Sequence, residues 1–265
     1  MTTLSNRISL AFLKDLVATP RGRALLLSQV ADAEAEGESG VFERLAALTR
    51  SDPLLCKMIS RHAADEVAHA SAINARIDAL GVARPMLPES LNMVRTLQAE
   101  VGVFARPLTT RADVMRAYLF LQMLEERVIG QLANFIEALR PVDAKTAELF
   151  ESIRRDEQRH LLYCYAISTR YAPSLDELDR TLRLYRRAEA GVFARNGAVS
   201  MRFMVSQGVL DDRPIRSWLW KTVAVVACWL TARQYEPTFS YRTPTLRRPR
   251  IEPIKALVAD QNQSG

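Results

Sequence analysis

Asp65-Glu66-Val67-Ala68-His69 and Asp156-Glu157-Gln158-Arg159-His160 decide the reading of this chain. The second stretch repeats the Asp-Glu-x-x-His pattern of the first 91 positions later, and the two use two of the three histidines in 265 residues. On a helix, positions i and i+3 share a face, so each motif aims one carboxylate and one imidazole at a common point. A single such motif arises by chance in many helices. Two of them, each preceded by Asp, point to one shared site.

Working outward, the motifs fall on the second helices of two hairpins. A short helix over about 5–17 precedes a long helix A over about 21–50. Ser51-Asp52-Pro53 closes helix A and opens helix B, about 53–80, because Ser or Asp can cap and Pro suits the first helical position. Pro85 and Pro88 follow helix B, and a smaller helix over about 89–102 lies within a long connection. Helix C covers about 110–140, with Thr110 and Asp113 as its cap pair, and helix D covers about 143–171. Two tight hairpins joined by one long crossover are the ferritin-like arrangement of a four-helix bundle. Ser174-Leu175-Asp176-Glu177 reads as a capping box opening a helix over about 175–195, and a Trp-rich helix follows over about 213–234. The expected organisation is a bundle with a short N-terminal helix over 1–172, a helical extension packing on it over 173–235, and a basic, polar tail over 236–265.

The first helix of each hairpin then owes the site one inward Glu. Glu38 lies about as far before the turn at 51–53 as Glu66 lies after it, and it shares a face with Leu27, Ala31, Val41, Leu45 and Leu48. Glu34, one turn earlier on that stripe, is the alternate. On helix C the candidates are adjacent. Glu125 aligns with Tyr118, Leu121, Val128 and Leu132, a more uniformly apolar face than that of Glu126, its alternate. The expected metal ligands are therefore Glu38, Glu66, His69, Glu125, Glu157 and His160. Asp65 and Asp156 are expected to hold the ring N–H of a ligand histidine, with Arg159 pairing to an Asp. His62, one turn before Glu66, is a further polar group behind the ligands. Buried carboxylates in such number repel one another unless cations neutralise them, and carboxylate with imidazole suits iron and manganese.

This constellation resembles the ferritin-like diiron-carboxylate superfamily over roughly residues 21–171. The resemblance implies an all-α, ferritin-like fold and a cofactor of two iron ions, or a manganese–iron pair. It implies a non-haem diiron oxygenase that activates O₂ to hydroxylate or otherwise oxidise an organic, lipophilic small molecule. Its partners would be O₂, that substrate, and an external electron donor, a reductase or ferredoxin. The alternatives are a rubrerythrin-like peroxidase or ferroxidase, a tRNA-modifying diiron hydroxylase, and a metal-free interaction bundle. The adjacent Glu125 and Glu126 are similar to a paired Glu in the quinone hydroxylases, and a net charge of +6 suits tRNA.

Composition narrows the setting. Three scattered cysteines, Cys56, Cys164 and Cys228, form neither a disulfide framework nor a Cys-x-x-Cys metal module, so the electrons must come from outside. A cytoplasmic location is expected, with membrane-surface contact or a homodimer contact through the Trp-rich C-terminal helix. That helix's apolar run, Thr222–Thr231, is too short for a span of about 20 residues.

Overall fold

A computed structural model describes residues 4–35 and 40–232, and among them every regular element is helical. The helices are α1 (Leu4–Val17), α2 (Pro20–Glu34), α3 (Val41–Leu48), α4 (Pro53–Asp78), α5 (Met93–Val101), α6 (Arg111–Leu139), α7 (Ala144–Tyr171), α8 (Leu175–Ser206) and α9 (Pro214–Ala232). The expected tail over 236–265 lies outside the described residues.

Local chemistry sets most of these boundaries. Asp52 accepts from the Leu55 N–H and Pro53 opens α4. Thr110 and Asp113 form a reciprocal capping box at α6. Asp143 accepts from the Thr146 N–H at the start of α7, and Ser174 accepts from the Glu177 N–H at the start of α8. The expected helix A is instead two helices. Gly40, with φ 72°, precedes Val41, a backbone conformation that L side chains adopt only with strain. The helix expected to end near 195 continues to Ser206, because Gly191 and Gly197 are accommodated inside it. At Gly197 an added Cβ would stand 3.1 Å from Cys228 Sγ, so the glycine lets α9 approach closely.

Packing divides the interior into two apolar clusters. One joins Leu45, Met58, Ile59, Tyr118, Phe120, Leu161, Ile167 and Leu182. The other joins Leu16, Leu25, Leu27, Ile73, Leu132, Phe150, Met201 and Trp220. On α4 the buried residues of the first cluster end at Ile59 and those of the second start at Ile73, leaving His62, Glu66 and His69 between them. Glu125 on α6 lies likewise between Met123 and Leu132, and Glu157 and His160 on α7 lie between Ile153 and Leu161. The long helices thus carry polar residues at one common level, with apolar surface above and below. The C-terminal helices share both clusters: Leu178, Leu182, Tyr185 and Val192 enter the first, and α9 enters the second through Trp220, Ala224 and Cys228. The Trp220 indole donates to Asp15 of α1 at 2.8 Å, anchoring α9.

Candidate metal centre

The polar layer condenses into two donor groups. His62, Glu66, Glu125 and His160 form one, and Glu34, Glu66, His69 and Glu157 form the other. Within each group the ligand atoms all lie within 4.8 Å of one another, and every member is buried. Glu66 belongs to both. Glu157 also spans them, with Oε2 2.8 Å from His160 Nδ1 and Oε1 3.4 Å from His69 Nδ1. The shared carboxylates are those of the two Glu-x-x-His motifs.

Behind the donors, the two motifs brace each other crosswise. The Nε2–H of His69 donates to Asp156 Oδ2 at 3.2 Å, and the Nε2–H of His160 donates to Asp65 Oδ2 at 3.2 Å. Each Asp therefore holds the histidine of the opposite motif, which leaves both Nδ1 atoms facing the carboxylates. Arg159 Nη2 lies 2.7 Å from both Asp65 and Asp156, and Arg61 adds a contact to Asp65 at 2.9 Å. Asp65, Asp156 and Arg159, expected around the histidine rings, are brought together beside them, and the crossing between motifs is what the sequence did not show.

Three placements refine the expected site. Glu38 lies outside the described residues, and Glu34 stands in the cluster, Oε2 3.7 Å from His69 Nδ1. Aligning Glu38 with Glu66 assumed an unbroken helix up to residue 50. The break before Val41 removes that register. Glu125 faces the cluster, while Glu126 turns away into a two-pronged contact with Arg186 at 2.7 Å. His62 stands among the donors and not behind them. Its Nε2 is 3.2 Å from Glu66 Oε1 and 3.2 Å from Glu125 Oε1, and its ring stacks on His160 at 3.9 Å. The spacing His62, Glu66, His69 (i, i+4, i+7) on one helical stripe was the signal that could have found it.

The donor atoms suit cations better than they suit one another. Glu66 Oε1 is 3.2 Å from both His62 Nε2 and His160 Nδ1, yet it is buried without a hydrogen-bond partner. His69 Nδ1 is orphaned in the same way. Such groups cost free energy unless something else engages them. Charge tells the same story. Burial and the neighbouring Glu66 carboxylate push Glu34 well above the usual carboxylate range, and burial with the charges of Glu157 and Glu66 does the same to Glu125. Burial alone would lower His69, but contacts with Glu157 and Glu34 dominate and push it up to about 11. Burial would raise Glu157, and so would Glu66, but His160 and His69 hold it at about 2. Glu34 and Glu125 thus hold protons themselves, while Glu66 and Glu157 stay ionised and draw protons onto His69 and His160. Metal ions would take the place of those protons, and an N/O donor set of this kind fits iron, manganese and related divalent ions.

A cavity of about 770 Å³ shares a wall with this layer. Glu34, His62, Glu66, Glu125 and Glu157 contribute to the wall, and most of the rest is apolar, including Phe12, Val30, Phe42, Leu124 and Met201. The size lies within the range of small-molecule sites. Cys164 and Tyr118 are buried beside Glu125, where burial and that carboxylate keep the thiol protonated. No helix of the described residues is long and apolar enough to cross a membrane. Comparison with known proteins finds no matching family model, no matching curated protein and no matching solved structure.

Proposed function

We propose that this protein is a non-haem diiron oxygenase of the ferritin-like, four-helix type, oxidising a lipophilic organic molecule. The observation that supports it is the apolar cavity whose wall includes the donor carboxylates. A site serving only iron oxidation has no use for an organic-sized apolar chamber beside it. In this reading Glu34, His69, Glu66 and Glu157 hold one ion, and His62, Glu125, His160 and Glu66 hold the other. When bound, a pair of iron ions would supply redox chemistry for O₂ beside the substrate, with the electrons replenished from outside. The overall balance of a hydroxylation is one oxygen atom inserted into C–H and one released as water. It consumes two electrons and two protons, delivered by an external reductase or ferredoxin.

The chain's own residues supply placement. Asp65 and Asp156 fix the imidazole rings, Arg159 locks the two aspartates together, and the apolar wall excludes water from the reacting carbon. Manganese at one position fits the same donors. The outer face of α9 adds a route for the substrate: Ile215 and Trp218 are 81% and 65% exposed, with Lys221 beside them. Such a face suits contact with an anionic membrane surface, with a homodimer contact as the competing outcome.

The test is anaerobic reconstitution with Fe(II), metal analysis, and then ¹⁸O₂ with reductant and a panel of lipophilic substrates. Two irons per chain and ¹⁸O in an organic product are expected. Less than about one iron per chain defeats the reading, and iron oxidation with no labelled product moves it to ferroxidase.

A further inference from the structure

Among the charged side chains lining the cavity, Arg154 stands apart. The four carboxylates of the donor layer are matched in charge by two divalent ions in the reading above, on which this inference rests. Glu126 is held by Arg186. Arg127 is held by Glu189 at 2.7 Å and also donates to the Ala232 carbonyl. Asp32 is exposed and has an interaction of its own. Arg154 lines the cavity with no carboxylate paired to it among the described residues, and its Nε is buried without a hydrogen-bond partner.

Arg154 is half-buried, and its Nε–H, shielded from water, is the donor that an anion in the cavity would complete. The planar guanidinium presents parallel N–H groups that match a carboxylate bidentately. Arg154 also precedes Glu157 by one helical turn, about 4.5 Å along α7. An anion bound there stands close to the metal ligands, with the apolar walls left for the remainder of the molecule.

We infer that the cavity recognises an amphiphilic organic acid, its carboxylate paired to Arg154 and its hydrocarbon part lying along the apolar wall beside the metal layer. Neither a neutral lipid nor an amine completes this site. The amine would bring a second cation to an unpaired one.

Calorimetric titration of the anaerobic, iron-loaded protein with dodecanoate, 1-dodecanol and dodecylamine tests this. Dodecanoate is expected to bind about tenfold or more tighter than the alcohol, and the amine weakest. Arg154→Gln is expected to bring acid and alcohol to within about twofold of each other, with the alcohol's affinity and the iron content unchanged. Arg154→Lys, which keeps the charge and guards against a folding defect in the first variant, is expected to retain part of the preference. Equal binding of acid and alcohol by the parent protein overturns the assignment. So does a preference that survives in Arg154→Gln, which places the carboxylate elsewhere, for example on the irons. Binding of none of the three probes by a fully iron-loaded protein overturns it as well. Failure of the oxygenase reading shows separately, as iron content below about one per chain or as an absence of ¹⁸O-labelled product.

Discussion

At the scale of single residues, the proposed dinuclear reading separates side chains that would serve two ions from those that would serve one. Glu66 lies in both donor groups and Glu157 faces both motif histidines. Glu66→Ala or Glu157→Ala is therefore expected to abolish dinuclear loading, measured as iron per chain, while circular dichroism still shows a helical protein. Full loading in either variant would contradict the ligand assignment. His62 touches one group only, so His62→Ala is expected to lower the iron content from about two to about one per chain. Asp65 acts at one remove, through the His160 ring and the two arginines that hold it. Asp65→Asn is expected to weaken metal affinity about 10- to 100-fold in chelator competition without changing the stoichiometry at saturation. An unchanged affinity would reduce Asp65 to a partner of Arg61 and Arg159 with no part in metal binding. The aspartates were legible in sequence because they recur before both motifs. His62 was read as standing behind the ligands, because its shared stripe with Glu66 and His69 does not tell which of the three reaches the donor cluster until that stripe is placed between two apolar clusters.

The helices themselves were legible wherever a cap or a proline marks an end, as at Asp52-Pro53, Thr110 and Ser174. They were misread where glycine works through backbone geometry. The apolar stripe of the expected helix A runs on through Val41 and Leu45, so periodicity could not reveal the break at Gly40. That break ends the register on which Glu38 was aligned with Glu66, and Glu34 stands in the donor cluster. Two other glycines make the same physics testable. Gly22, in the first turn of α2, lies so close to α1 that an added Cβ would stand 1.7 Å from the Leu16 carbonyl oxygen. Gly130, within α6, would meet nothing within 4 Å. Gly22→Ala is expected to destabilise by about 3 kcal/mol, since backbone must move. Gly130→Ala is expected to stabilise by about 0.5–1 kcal/mol through helix propensity. Urea unfolding of both variants measures the difference, and equal midpoints would show that the α1–α2 junction is looser than described.

For the whole molecule, the decisive feature is a charged layer enclosed by two apolar clusters. The sequence displayed the layer as motifs but gave no sign that α8 and α9 would complete both clusters, because that depends on which faces meet after the chain has folded back. Donors come from α2, α4, α6 and α7, so ions held there would tie four helices at their common level and couple metal binding to the stability of the helical assembly. Separating these helices exposes the donors singly, and an unfolded chain offers no comparable site. Ions that bind only the folded state stabilise it by about 2.7 kcal/mol at a free concentration 100 times Kd. For a chain of this size that corresponds to a Tm increase of roughly 5–10 °C. Adding Fe(II) or Mn(II) anaerobically is therefore expected to raise Tm by that amount, and a chelator is expected to reverse the change. Glu66→Ala is expected to show no shift, because the shared ligand is gone. A parent protein whose Tm ignores both metal and chelator would mean that its buried carboxylates are satisfied by protons and imidazolium alone.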